Sequence, residues 1–365
     1  MSCAHGVAGW RRAAVVLALA ISASRCAAGL RPMASWPDAA DRPCRVTPAD
    51  DGAPGATVVW LGPSAADQRR HLDEWCSTVG PPVVAAAMAR PTGPLGTDGL
   101  VVVSWNVHEG AGDVAALIAG LRDGTLTDGR PVTRFVLLLQ EARRAAGAAP
   151  TPSRPGADIV SVAREAGLSL YYVASKRLGG GTAAAPDRGN AVLSTEPLSD
   201  FRAIELPFER QRRLAVEASI SGADAAGTPW RLRLVSAHLE STATLKRLRV
   251  LASIPRQRQA RALLEAMAVD EPVVLGGDFN TWFGFRDATY RLMAAALPDL
   301  SVGDRRRTFG GLFRLDHVFA RTPAGWQAVA RRLDVRLGSD HFPLLARLTP
   351  GVSAPAAAGV APQSR

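Results

Sequence analysis

Between about residues 99 and 348, short β-branched or leucine-rich runs recur, and several stop on a polar residue of a catalytic type. Leu100-Val-Val-Val-Ser-Trp-Asn106, Arg134-Phe-Val-Leu-Leu-Leu-Gln-Glu141 and Arg231-Leu-Arg-Leu-Val-Ser-Ala-His238 come first. Pro272-Val-Val-Leu-Gly-Gly-Asp278-Phe-Asn280, Leu315-Asp316-His317-Val-Phe and Gly338-Ser-Asp340-His341-Phe-Pro follow. Apolar runs this short fit strands buried in a sandwich core, and helical patterns alternate with them. If the strands share a sheet, their polar ends converge on one rim.

The flanks read differently. Residues 29–97 are rich in Pro, Gly, Ala and Asp and contain one polar helical stretch around Ser64 to Trp75, the pattern of an N-terminal extension to a domain spanning 98–349. Residues 350–365 are of low complexity and are expected to form a disordered tail. Leu245 to Met267 reads as a helix interrupted by Pro255, with its arginines on a solvated face. Arg11 and Arg12 precede an apolar stretch, Ala13 to Ile21, and then small residues to Ala28, which is the pattern of a signal peptide over 1–28 and of a secreted or periplasmic protein. Lipid anchoring at Cys26 is disfavoured by Arg25 beside it. Cleavage would leave Cys44 and Cys76 free to clip the extension by a disulfide.

The chain has 365 residues, 47% hydrophobic and 21% charged, which excludes a disordered chain, a collagen-like fibre and a disulfide-knotted miniprotein. No apolar run outside the N-terminus is long enough to span a bilayer, so no integral span is expected in the mature chain. The net charge of +10 favours an anionic partner such as nucleic acid or a phospholipid surface, although a high-GC genome would give the same abundance of arginine and alanine without selection for binding.

Four of the six histidines, His108, His238, His317 and His341, lie in the segments that end in polar residues. If Glu141, Asp278, Asp316 and Asp340 meet in one pocket, a cation or a proton must offset their repulsion. Oxygen ligands suit Mg²⁺ or Mn²⁺, and no helical His-Glu-x-x-His or cysteine cluster argues for zinc. Phosphoryl chemistry fits this set.

In order along the chain, Ser104-Trp105-Asn106-Val107, Gln140-Glu141, Gly189-Asn190-Ala191-Val192-Leu193-Ser194, Ala237-His238-Leu239, Gly277-Asp278-Phe279-Asn280, Leu315-Asp316-His317 and Ser339-Asp340-His341-Phe342-Pro343 jointly resemble the endonuclease/exonuclease/phosphatase superfamily. That group includes deoxyribonuclease I, abasic-site endonucleases, neutral sphingomyelinases and inositol polyphosphate 5-phosphatases. The resemblance implies an α/β fold, a four-layer αββα sandwich of two mixed β-sheets with outer helices. It implies a divalent cation held by Glu141 with Asn106 and Asp340, an attacking water handled by Asp278, and a phosphate oxygen bound by Asn280. His238 and His341 would stabilise the transition state, and Asp316 would fix the tautomer of His341.

Some positions depart from the family pattern. His108 stands where some members carry a second acid. Arg143 and Arg144 follow Glu141, where they would either grip a substrate phosphate or form a solvated turn. His317 should point away from Asp316 by strand alternation and is read as structural. Asn190 would orient His238 or merely make a turn, and Arg212 would contact a phosphate. Arg305 to Arg307 sit before a loop on the substrate side.

These readings give a monomeric, metal-dependent phosphodiesterase acting on nucleic acid. A lipid or inositol phosphoesterase is the alternative, and a non-catalytic binding protein is disfavoured. The nucleic-acid reading rests partly on the lack of an apolar docking hairpin, with Trp282-Phe283-Gly-Phe285 as the one aromatic candidate.

Overall fold

The computed structural model describes residues 33–35, 47–48, 56–86, 93–145, 156–178, 185–241, 253–267 and 270–351. The proposed signal peptide, Cys44 and the proposed tail lie outside the described residues. In chain order the elements are β1 (Met33–Ser35), β2 (Thr47–Pro48), β3 (Val59–Pro63), α1 (Ala66–Thr78), β4 (Val83–Ala85), β5 (Leu100–Asn106), α2 (Val114–Arg122), β6 (Phe135–Arg144), α3 (Ile159–Ala166) and β7 (Ser169–Arg177). They continue with β8 (Asp187–Ser194), β9 (Ser199–Glu205), β10 (Leu214–Ala223), β11 (Pro229–His238), α4 (Ser253–Ala266), β12 (Val273–Asp278), α5 (Ala288–Ala296), β13 (Asp316–Arg321), β14 (Gln327–Arg332) and β15 (Leu344–Thr349).

Two mixed sheets result. One has the order β1-β3-β9-β10-β11-β12-β13 and the other β14-β15-β5-β6-β8-β7-β4-β2. The central strands, such as β5 and β12, are buried on both faces, and alternation assigns each face. In β5, Leu100 and Val102 face the core between the sheets, whereas Val101, Val103 and Trp105 pack with α2 and α3 outside. In β12, Val274 faces inward, and Val273 and Leu275 pack under α4 and α5. The sandwich is therefore four layers, helix–sheet–sheet–helix.

The segment before residue 98 is built into both sheets. β3 pairs parallel with β9, and β4 pairs antiparallel with β7, so these residues extend sheet edges. α1 covers the region near the expected polar helix, and its Cys76 is disulfide-bonded. Two expectations give way. Pro255 lies within α4, which runs through it from Ser253 to Ala266, and the rest of the expected helix, residues 245–252, lies outside the described residues. Arg256 on that helix is buried with its guanidinium 3.5 Å from Asp287, because α4 packs against α5 on this side.

Close approach of the sheets has a sequence cause at Gly276. A Cβ there would lie 2.6 Å from the Ser104 side chain of the facing sheet, so only glycine permits this spacing next to the rim.

Candidate active site

The alternation that builds the core also delivers the site. Leu232, Leu234, Ser236 and His238 follow one another on the inner face of β11, and Val274, Gly276 and Asp278 do the same on β12. Register pairs His238 with Asp278 across parallel strands and Asp278 with Asp316 across antiparallel ones. Three functional side chains thus stand abreast at one rim, and Asn106, last on the inner face of β5, meets them from the other sheet.

Glu141 arrives by a different route. Leu139 and Ala142 both pack outward, and the β6–β8 register shifts between them, so a bulge adds one residue and sets Gln140 and Glu141 together opposite Asn190. Glu141 has φ +58°, which takes it off the strand's alternation and into the site. Gln140 stays inside, where its amide donates to Ser236 Oγ at 2.9 Å. His341 lies on a loop before β15, not on a strand as its apolar flank implied. Its backbone N–H donates to Ser339 Oγ, which in turn donates to Asn106 O at 2.7 Å. Trp105 Nε1 donates to His341 O at 3.1 Å.

The contacts form a chain. Asn106 Nδ2 donates to Asp278 Oδ2 at 3.0 Å, and Asn280 N donates to Asp278 Oδ1 at 2.9 Å. His238 lies between Glu141 and Asp278, with Nδ1 3.7 Å from the first and Nε2 3.5 Å from the second. His341 Nε2 is 3.8 Å from Asp278, and its Nδ1 is 2.8 Å from Asp316 Oδ2. Asp340 Oδ2 is 3.1 Å from His108 Nδ1. The Asn280 amide donates to Leu239 O at 3.1 Å, and φ of +51° holds this residue in a left-handed conformation.

Burial and charge separate the two imidazoles. Burial opposes the charge on His341, but the Asp316 carboxylate beside it, with Asp278 and Asp340, raises its pKa from 6.5 to about 10. His238 moves well down, first through burial and then through the charges of Arg213 and Arg188. One ring is therefore cationic at neutral pH and the other neutral. Burial, reinforced by Asp316, lifts Asp278 above the usual carboxylate range.

The residues fit a divalent cation. The carboxylate–imidazole group Asp278, Asp316 and His341 has ligand atoms within 4.8 Å of one another. Asp316 and His341 engage each other, Glu141 Oε2 accepts from Arg188 and from the Glu109 N–H, and Asn106 Oδ1 accepts from the His108 N–H. Asp340 Oδ1, by contrast, is buried and has no hydrogen-bond partner, which leaves a carboxylate oxygen open to an ion. Oxygen donors with unbalanced negative charge are what Mg²⁺ or Mn²⁺ requires.

Other expected residues take different places. Arg212 does not reach the site. It is buried in an ion pair with Glu205 and donates to Ala174 O, so its charge is already spent inside the fold. The Asn190 amide donates to Leu214 O and Ser236 O and makes no hydrogen bond to His238 among the described residues, tying β8 to β10 and β11. Arg144 pairs with Asp187 and is not a free phosphate grip, whereas Arg143 donates one hydrogen bond to Gly156 O. His317 faces away from Asp316, between Thr281 Oγ1 at 2.9 Å and Asp299 at 3.5 Å.

The sequence assigns no role to three contributors, the last of which lies in the loop expected on the substrate side. Arg188 Nη1 donates to Glu141 at 2.8 Å and to Glu109, whose own N–H donates to Glu141. The signal for Arg188 was its position two before Asn190 on the same inner face. Arg213, one residue past the expected arginine, is buried within the fields of Glu240, Glu141 and Asp278. The third is a turn over 309–313 that packs Phe309 against the His341 ring with centroids 4.7 Å apart.

A doubly helix-covered sandwich, with a buried His–Asp pair and carboxylates gathered at one rim, is an arrangement suited to phosphoester hydrolysis. The chain belongs to the Endonuclease/Exonuclease/phosphatase family, whose model matches residues 103–341. Among curated relatives, a UPF0294 protein of Vibrio cholerae is 37% identical over 95 residues, which cover 25% of this chain and 33% of that protein. The match thus spans a third of the relative's length. An endonuclease/exonuclease/phosphatase structure from Beutenbergia cavernae covers 70% of this chain and 72% of its own at 21% identity and a TM-score of 0.51, which is a likeness of fold. The human nocturnin catalytic domain is 14% identical over 73% of this chain and 97% of its own, at a TM-score of 0.47. Among the described residues no helix is long and apolar enough to cross a membrane.

Proposed function

We propose that the protein is an exported, divalent-metal-dependent phosphodiesterase. The observation that carries this reading is the continuous chain Asp316–His341–Asp278–His238–Glu141, within which each neighbouring pair lies 2.8 to 3.8 Å apart. Glu141, Asp340 and Asn106 would hold Mg²⁺ or Mn²⁺, which supplies Lewis-acid charge to a phosphoryl oxygen. Asp278, with its raised proton affinity, orients an attacking water and takes its proton. Cationic His341 presents Nε2 to the phosphoryl oxygens, because Asp316 engages Nδ1. Neutral His238 stands beside it, with Nε2 3.5 Å from Asp278.

Nucleic acid is the substrate that the net charge of +10 favours. Arg212, Arg256, Arg258 and Arg306 lie in ion pairs, so these four do not supply that excess. A lipid phosphodiester is a second reading, favoured by apolar side chains exposed beside His341. Export rests on the residues 1–28 pattern alone. The test is hydrolysis of plasmid DNA, RNA, sphingomyelin, inositol phosphates and bis(p-nitrophenyl) phosphate with Mg²⁺, with EDTA, and with Asp278→Ala. Metal-dependent turnover of any diester that Asp278→Ala abolishes supports the function. Turnover that survives EDTA or this substitution refutes it.

A further inference from the structure

Beside His341 the surface carries three large exposed apolar side chains: Leu312 at 66%, Phe283 at 47% and Phe313 at 37%. They are held rather than loose. Trp282 packs edge-on against both Phe309 and Phe313, with centroids 6.0 and 5.1 Å away, which joins the Phe283 segment to the 309–313 turn. Thr308 N and Phe309 N both donate to Phe313 O, and Arg307 Nη1 donates to Gly311 O at 3.1 Å. The turn is also tied to the catalytic loop, because Gly310 N donates to Asp340 O at 3.0 Å and Phe342 N donates to Thr308 O at 2.8 Å. Gly310 and Gly311, at φ +53° and +71°, allow the sharp projection.

Cationic residues surround these apolar side chains. Arg286, Arg305 and Arg307 are exposed, and none has a carboxylate within salt-bridge distance among the described residues. Arg306 between the last two is neutralised by Asp304 and Asp334. An exposed apolar tip rimmed by unpaired arginines is complementary to an anionic lipid interface, with side chains in the acyl boundary and guanidinium groups among headgroup phosphates.

We propose that this rim docks the enzyme on anionic bilayers and that its substrate is a phosphodiester in a lipid headgroup. The substrate half rests on the phosphodiesterase reading above. Single-stranded nucleic acid also uses aromatic and basic side chains, but its bases stack on flat ring faces. The most exposed member here is Leu312, which offers no such face. Because the hydrogen bonds fix the turn before docking, little ordering opposes the contact.

The test is co-sedimentation of the full protein with phosphatidylcholine vesicles, with and without phosphatidylglycerol, alongside binding of a single-stranded oligonucleotide. Wild type, Leu312→Asp/Phe283→Asp and Arg305→Gln/Arg307→Gln are compared. The wild type should pellet with the anionic vesicles in preference to the neutral ones. The apolar pair should lose at least about tenfold in vesicle affinity, and each arginine about fivefold. Turnover of bis(p-nitrophenyl) phosphate by Leu312→Asp/Phe283→Asp should match wild type, which also reports folding.

Absence of wild-type binding to anionic vesicles would overturn the proposal. So would undiminished binding by Leu312→Asp/Phe283→Asp, or a loss confined to the oligonucleotide. Vesicle binding that follows the variants as expected, without wild-type turnover of the soluble diester, would support docking and overturn the phosphodiesterase reading instead.

Discussion

Asp316→Asn isolates the charge behind His341. The substitution keeps an acceptor of the same shape next to Nδ1, at the 2.8 Å contact, and removes the carboxylate that most strongly raises the ring's pKa. Burial is the largest influence on that ring and lowers its pKa, so without Asp316 it should fall well below about 10. At neutral pH the variant then loses some or all of a positive donor facing the phosphoryl oxygens. Removing one such donor typically costs about 10² to 10³ in rate, or about 2.7 to 4 kcal/mol. The assay is kcat/KM for bis(p-nitrophenyl) phosphate with Mg²⁺ from about pH 5.5 to about pH 9, the range over which an imidazole shifted in this way titrates. Wild-type His341 stays charged throughout, whereas the variant re-protonates on acidification, so the deficit should shrink toward low pH.

Stability follows the same sign. A group whose pKa rises on folding contributes stability that is complete below its unfolded value near 6.5 and is lost as pH rises through about 10. Wild type should therefore lose melting temperature on the alkaline side more steeply than Asp316→Asn. A variant within threefold of wild type, or a deficit that does not vary with pH, would refute the reasoning.

Glu141→Gln removes the charge at the bulge and should weaken Mn²⁺ binding by about 10-fold or more, read by calorimetric titration. EDTA should inactivate the wild type, and excess Mg²⁺ should restore it. Gly276→Ala places a methyl group 2.6 Å from Ser104 across the sandwich, and because two sheets must separate to admit it, the cost should be about 1 to 3 kcal/mol in urea unfolding. A change under about 0.5 kcal/mol would show that the sheets yield there. Asp304 is held well below its usual pKa of 3.8, first by Arg306 and then by backbone N–H groups, so its contribution exists above that value and is lost as pH falls through the folded one. Asp304→Asn should cost about 1 kcal/mol at neutral pH, discounted for the exposed Arg306, and the cost should shrink toward about pH 3.

How far the site could be read from the chain depended on whether alternation held. On β11, β12 and β13 it held to the last residue, so His238, Asp278 and Asp316 could be placed on one inner face and His317 on the other. Asn106 followed the same rule on β5. Glu141 did not, because an uninterrupted β6 would have sent it outward with Leu139, and the bulge that reverses it leaves no periodic trace in Gln140-Glu141-Ala142. The choice of Arg212 failed for a related reason. Position along the chain cannot say which of two adjacent arginines finds a buried carboxylate, and Glu205 on a neighbouring strand decided it. The segment before residue 98 looked like an appendage because its strands are short and interrupted by Pro and Gly. The edge strands β1 and β2 need only one hydrogen-bonded neighbour, and β3 and β4 beside them pair over only three residues with β9 and β7, so weak patterns suffice there. The 309–313 turn was hidden for the opposite reason. Phe309, Leu312 and Phe313 are scattered among glycines with no period, and only the folded turn gathers them with Trp282 and Phe283 beside the histidine. The chemistry of the rim could be inferred because strands repeat, whereas the surface next to it depends on tertiary contacts that no repeat announces.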